Sequence, residues 1–192
     1  MDWGNKTIGF AMCGSFCTFK KAVAVMEMLT QTGANIIPIM SEMSYNTDTR
    51  FGKAEDFRLN IKNMTGNDII STIKDAEPIG PKNLLDLLVV LPCTGNSLAK
   101  IANGIADTSV TMAVKAHLRN QKPVLIAVST NDGLGTAAKN IGTLLNSKNL
   151  YFLPFSQDDY ISKPNSLVAD FEKLNDAIEA AFDGRQLQPL LG

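Results

Sequence analysis

The chain alternates short, nearly unbroken apolar runs with segments whose apolar residues recur every three or four positions, and this alternation restricts the fold more than any other feature. Residues 6–12, 35–40, 87–91, 122–128 and 150–153 read as strands. Their near-continuous apolar character suits strands covered on both faces, as in a parallel sheet. After the first run, Phe19, Ala22, Val23, Met26 and Leu29 mark one buried helix face, and Gly33 is placed to end that helix. Leu98, Ile101, Ala102 and Ile105 predict a helix that begins near Ser97, and Val110, Ala113, Val114 and Leu118 another over 109–120. Two more are expected at 136–145 and 167–182, the last ending near Gly184. The alternation predicts one α/β domain over residues 1–192: a three-layer, Rossmann-like, doubly wound parallel sheet. Residues 41–81 fit it least. They read as a mobile loop with one or two short helices, which Pro78, Gly80 and Pro81 would end.

Composition agrees with one soluble domain. The 192 residues are 45% apolar, enough to fill a substantial core. The 19 acidic and 18 basic residues leave a formal charge of −1, so charge draws the chain to neither nucleic acid nor an anionic membrane. The apolar stretch at 84–92 is broken by Asp86 and falls far short of the roughly 20 residues that a membrane-spanning helix needs. Cys13, Cys17 and Cys93 make an odd count, and no charged-then-apolar leader opens the chain; both point to a reducing cytoplasm. Small molecules or other proteins are the expected partners.

In doubly wound sheets ligands bind outside the carboxyl ends of the strands. That places the candidate site on loops beginning at Cys13, Ser41, Pro92 and Ser129. In the first, Gly14 and Ser15 precede a helix whose exposed amides suit a phosphate, although a tight turn with Ser15 as N-cap accounts for the same residues. No P-loop lysine and no G-x-G-x-x-G spacing is present. The third loop, Pro92-Cys-Thr-Gly-Asn-Ser97, opens a helix and is the more specific signal; read blandly, it is a strand-to-helix turn capped by Asn96 or Ser97.

The run PCTGNSLAKIANGIAD at 92–107 resembles the segment shared by homo-oligomeric flavin-containing cysteine decarboxylases and flavin prenyltransferases. Within that superfamily, SEMSYNTDTRFG at 41–52 and AEPIGPKN at 76–83 resemble the family of dipicolinate synthase B subunits, and the likeness spans most of the chain. The resemblance implies a flavodoxin-like fold, bound FMN and, as partner, the dehydrogenase-like A subunit of dipicolinate synthase. It also implies a role in oxidising dihydrodipicolinate to dipicolinate in the cytoplasm of the sporulating mother cell, and homo-oligomers, trimers or dodecamers, with flavin at subunit contacts. Carried onto this chain, Gly14 and Ser15 would meet the flavin phosphate and Ser41 would close over the cofactor. Pro92, Cys93, Thr94, Asn96 and Ser97 would supply the loop at the phosphate or ring edge, and Ser129 and Asn131 the fourth loop.

The chain departs from its superfamily in telling places. Between Ser41 and Pro92 there is no histidine, where the decarboxylases place theirs. Of their proline-alanine-methionine-asparagine motif, residues 128–132 keep only the asparagine, and the arginine that prenyltransferases carry near Ser129 is missing. His117 falls on a helical stripe rather than a strand-end loop and is assigned no chemistry. Cys13 and Cys17, separated by three residues and with no neighbouring histidine, are expected as buried thiols and not metal ligands. Cys93 lies near a helix N-terminus, where a thiol pKa can fall, but packing is the simpler reading. Arg50 and Arg58 are candidates for receiving a small dicarboxylate, against the alternative of a solvated charged loop. No catalytic residue is assigned, which leaves two other functions open: a stand-alone flavin-dependent decarboxylase or prenyltransferase, and a non-enzymatic assembly protein.

Overall fold

The computed structural model describes residues 2–192. Five strands, β1 (Thr7–Met12), β2 (Asn35–Met40), β3 (Leu87–Cys93), β4 (Val124–Thr130) and β5 (Leu150–Phe152), lie parallel in the order β2-β1-β3-β4-β5. All seven residues of β3 are buried, as its uniformly apolar sequence predicts for a central strand covered on both faces. A small antiparallel hairpin of β6 (Phe155–Ser156) and β7 (Leu167–Ala169) joins the end of β4, with Ser129 opposite Val168 and Thr130 opposite Leu167. The fold class is therefore as expected, a mostly parallel sheet flanked by helices.

The helices are α1 (Phe19–Thr30), α2 (Glu42–Asn46), α3 (Ala54–Thr65), α4 (Ile73–Ala76), α5 (Gly95–Ala102), α6 (Ser109–Leu118), α7 (Ala138–Leu145) and α8 (Leu174–Phe182). The predicted α1 stripe is buried in full, with Val25 added. Gly33 takes the left-handed conformation beyond it, φ +80°, which a side chain disfavours. Phe19 is fully buried and meets the Phe57 ring edge-on at 5.5 Å between centroids, pinning α3 to α1. Burial of such a ring contributes about 1.5–3 kcal/mol. Packing runs from α4 to α6, α6 to α5 and α5 to α7, while α8 contacts β4. Among the described residues no helix is long and apolar enough to cross a membrane.

Both rims of the parallel sheet meet hydrogen-bonding groups. Beside β2, the Met40 N–H donates to the Ile70 carbonyl and the Ile70 N–H donates to the Pro38 carbonyl, each at 2.9 Å. Beside β5, the Gln186 side-chain amide accepts from the Phe152 N–H at 2.8 Å and donates to the Phe152 carbonyl at 2.6 Å.

Four sequence readings change. Residues 41–81 hold three α-helices, and α3 is twelve residues long. Its inward stripe of Ala54, Phe57, Ile61 and Met64 is thin and set among charges, so its period is faint, and Gly66 at φ +68° ends it. The expected helix at 167–182 begins only at Leu174: Leu167 to Ala169 pair with β4 and β6, and the Asp170 carboxylate accepts the Glu172 N–H at 3.1 Å to start a new turn. Pro92 and Ser129 lie within β3 and β4 rather than in loops. Cys13 is buried as expected, but Cys17 is exposed.

Candidate functional site

Because β2 and β3 lie on opposite sides of β1, the chain leaves these strands in diverging directions and a crevice opens beyond their carboxyl ends. Gly14 after β1, Ser41 after β2, and Thr94, Asn96 and Ser97 after β3 all line one cleft of about 610 Å³ there. Small-molecule sites commonly span roughly 300–1,000 Å³.

The turn after β3 is built by a cap and a close approach. Thr94, not Asn96 or Ser97, is the N-cap of α5: its hydroxyl accepts the Ser97 N–H at 3.4 Å, and Asn96 stays exposed. A Cβ on Gly95 would stand 2.7 Å from the Thr130 hydroxyl and 2.8 Å from an Asp132 carboxylate oxygen, so glycine lets α5 start against the β4 loop without displacing either group. The first N–H groups of α5 have no acceptor within the helix, and the helix dipole makes that end favourable to an anion.

The opposite wall rests on strand-end carbonyls. Ser41 caps α2, accepting the Ser44 N–H at 3.2 Å, and Ser44 in turn donates to the Met12 carbonyl at 3.3 Å. The Glu42 carboxylate accepts the Ser109 N–H at 3.2 Å at the start of α6, while the Ser109 hydroxyl donates to the Met40 carbonyl at 2.6 Å. Lys100 donates to Asp107 at 2.9 Å. Glu42, Lys100 and Asp107 also line the cleft but were not among the residues singled out from sequence. Their signal was positional: Glu42 adjoins Ser41, and the other two belong to the run at 92–107.

The remaining candidates lie around or away from the cleft. Ser15 makes no side-chain cap bond; its hydroxyl sits 2.9 Å from that of Ser129, tying the first loop to β4. Asn131 is exposed and accepts from the Ser166 hydroxyl at 3.5 Å. Pro92 and Cys93 are buried in β3 below the cleft. Arg58 donates to the Tyr45 carbonyl, stacks over the Tyr45 ring at 4.6 Å and lines a separate cavity of about 480 Å³. Arg50 lies 4.9 Å over the Phe51 ring. Neither arginine lines the cleft.

Electrostatics sets several protonation states. Hydrogen bonding to Cys13, then burial, raises the Cys93 thiol well above its usual range. Hydrogen bonds donated by the Thr130 and Thr136 hydroxyls lower the Asp132 carboxyl and keep it ionised behind Gly95. His117 is fully buried on α6 with Nε2 3.1 Å from the Pro123 carbonyl, and burial pulls its pKa down to about 4. It is a neutral structural group, remote from the strand ends that form the cleft. Among the described residues no cluster of histidine, cysteine or carboxylates has the grouping to hold a metal ion.

The chain is 44% identical over 187 residues to the B subunit of dipicolinate synthase from Bacillus subtilis, covering 97% of this chain and 94% of that protein. The crystal structure of the dipicolinate synthase B subunit from Bacillus halodurans superposes with a TM-score of 0.92 at 45% identity, covering 100% and 98% of the two chains. The FMN-dependent cysteine decarboxylase SpaF shares the fold, with a TM-score of 0.66 at 24% identity over 94% of this chain and 97% of that one. The profile of the flavoprotein family matches residues 2–180, and the chain belongs to that family.

Proposed function

We propose that this chain holds FMN in the cleft at the ends of β1, β2 and β3. We propose further that it serves as the B subunit of a dipicolinate synthase, supporting oxidation of dihydrodipicolinate to dipicolinate beside a dehydrogenase-like A subunit. One observation carries the flavin reading: three loops far apart in sequence, at Gly14, Ser41 and Thr94 to Ser97, converge on a single cleft at the start of α5. The near full-length likeness to two B subunits supports the choice of reaction.

The residues present suit a flavin phosphate. The α5 N-terminus offers backbone N–H groups, Thr94 and Ser97 offer neutral hydroxyls, and Lys100 provides a cation whose charge Asp107 balances. Bound there, FMN would supply two-electron redox chemistry. The Asn96 side chain would orient it, and Gly14 and Ser41 would close the opposite wall. Assembly into a homo-oligomer, with a dicarboxylate entering at the open side, belongs to the same reading.

The test is the visible spectrum of the purified chain after FMN addition and gel filtration. Retained flavin is expected, with affinity lowered about tenfold in Asn96→Ala through loss of one hydrogen bond. A colourless protein would sink the flavin reading. A specific observation favours placing the acid–base chemistry on the partner: Glu42 and Asp107, the carboxylates of the cleft, are engaged by Ser109 and Lys100, and the sole histidine is buried elsewhere. If the chain serves only for assembly, synthase activity will survive removal of the flavin.

A further inference from the structure

A groove of about 480 Å³ runs along α6 between the C-terminal turns of α5 and α7, outside the cleft. Ile105, Val114, Leu118 and Leu144 are among its apolar walls, and Ile105 stays 48% exposed. Lys115, Arg119 and Lys148 stand along it. No aspartate or glutamate lines it, and among the described residues none of these three cations enters an ion pair. The groove therefore suits an apolar body that carries carboxylates.

The β6–β7 loop, residues 157–166, presents that chemistry. At its tip Tyr160 and Ile161 are 69% and 81% exposed, next to Asp158 and Asp159. The tip is held in shape: the Ser162 N–H donates to the Asp159 carboxylate at 3.0 Å, the Gln157 amide donates to the Pro164 carbonyl at 2.8 Å, and Lys163 lies 3.5 Å from Asp158. A preformed knob loses little freedom on binding. Two carboxylates and one ammonium leave the loop at −1, opposite in sign to the three cations of the groove. Tyrosine and arginine are also among the side chains that most often dominate interfaces.

The loop cannot fill the groove of its own chain. It is fastened at the carboxyl end of β4, where the Leu134 N–H donates to the Asn165 carbonyl at 3.0 Å and Thr130 pairs with Leu167. The far end of the groove, at Arg119, Gln121 and Lys148, adjoins the segments that lead into β4 and β5. The seven residues of β4, rising about 3.3 Å per step, set about 20 Å between the two.

We propose that copies of this chain join through the loop tip at Asp158 to Ile161 of one, seated in the α5–α6–α7 groove of the next. Tyr160 and Ile161 cover the apolar walls, and Asp158 and Asp159 face Lys115, Arg119 and Lys148. Repeated from copy to copy, the contact closes as a reciprocal pair or as a ring. It gives a surface to the homo-oligomer of the proposed function and rests on that part of the reading; it does not depend on flavin.

Light scattering after gel filtration, at micromolar concentration, reads the mass of three full-length proteins. They are the wild type, a loop variant carrying Tyr160→Ser and Ile161→Ser, and a groove variant carrying Lys115→Glu and Arg119→Glu. The wild type is expected above the mass of one chain, and each variant below the wild type. In an equal mixture the intact groove of the first variant meets the intact loop of the second, so the mass should rise above that of either alone. All four positions are exposed, so each variant should keep the wild-type urea midpoint. A variant that does not is replaced by Asp158→Asn with Asp159→Asn, or by Ile105→Ser with Lys148→Gln. Either variant keeping the full wild-type mass would overturn the pairing, as would a mixture no larger than its components. A loop that serves a different partner gives the first of those results. A wild type of one chain overturns the contact together with the homo-oligomer, while FMN retention, read from the visible spectrum, decides the flavin reading separately.

Discussion

The Ser15 and Ser129 hydroxyls meet at 2.9 Å although 114 residues separate them. The bond ties the turn after β1 to the end of β4, where the β6–β7 hairpin also attaches. Ser129→Ala should lower stability by about 1 kcal/mol, the usual worth of one such bond. Ser15→Ala made on top of it should add little, and urea denaturation of the two single variants and the double variant measures that coupling.

Gly95→Ala tests the contact between α5 and the β4 loop. Its new methyl would meet the Thr130 and Asp132 side chains at distances that force one of them to move, and Thr130 and Asp132 also hold each other. Crowding of this kind costs about 1–3 kcal/mol. A lower urea midpoint together with weaker FMN retention is expected; wild-type values for both would show that the loop yields freely.

Acid should unfold the protein partly through His117. Its folded pKa of about 4 lies below its ordinary 6.5, so between those values the unfolded chain binds a proton that the native chain refuses. Stability from this group is complete above pH about 6.5 and is lost as pH falls toward 4, reaching about 3 kcal/mol. His117→Gln should flatten that share of the decline, visible as a smaller difference between urea midpoints taken near neutrality and near pH about 4.5.

Arg58 clamps the segment after β2 onto α3, through the Tyr45 carbonyl and ring. Arg58→Ala should cost about 1–2 kcal/mol, from a charged hydrogen bond and a stacked cation. Arg58→Lys should recover only part of it, because an ammonium cannot both stack and reach as the planar guanidinium does. If Arg58 instead receives the dicarboxylate, its loss will raise the substrate KM of the assembled synthase without moving the urea midpoint.

Where a periodicity is dense it was readable from the sequence, and where it is sparse it was not. The α1 stripe and the unbroken β3 run are dictated by burial, so their apolar residues announce them. The α3 stripe has four inward residues in twelve, and the strand at Leu167–Ala169 is too short to separate period two from period three and a half. The loops that line the cleft were legible because small and polar residues interrupt the apolar runs at Gly14, Ser41 and Thr94. Glu42, Lys100 and Asp107 were not, since their place in the wall depends on where α2, α5 and α6 come together. The Ser15–Ser129 bond is a purely tertiary fact, with no local signature in either segment.

The hydrogen bonds along the two rims of the sheet carry a consequence for assembly. An open strand edge is a template on which further chains can add, and native proteins blunt such edges to avoid aggregation. Here Ile70 occupies one margin with main-chain groups, and Gln186 imitates a strand at the other with its amide. Additional copies of this chain therefore meet no vacant ladder at Pro38, Met40 and Phe152, the edge positions that these groups already occupy.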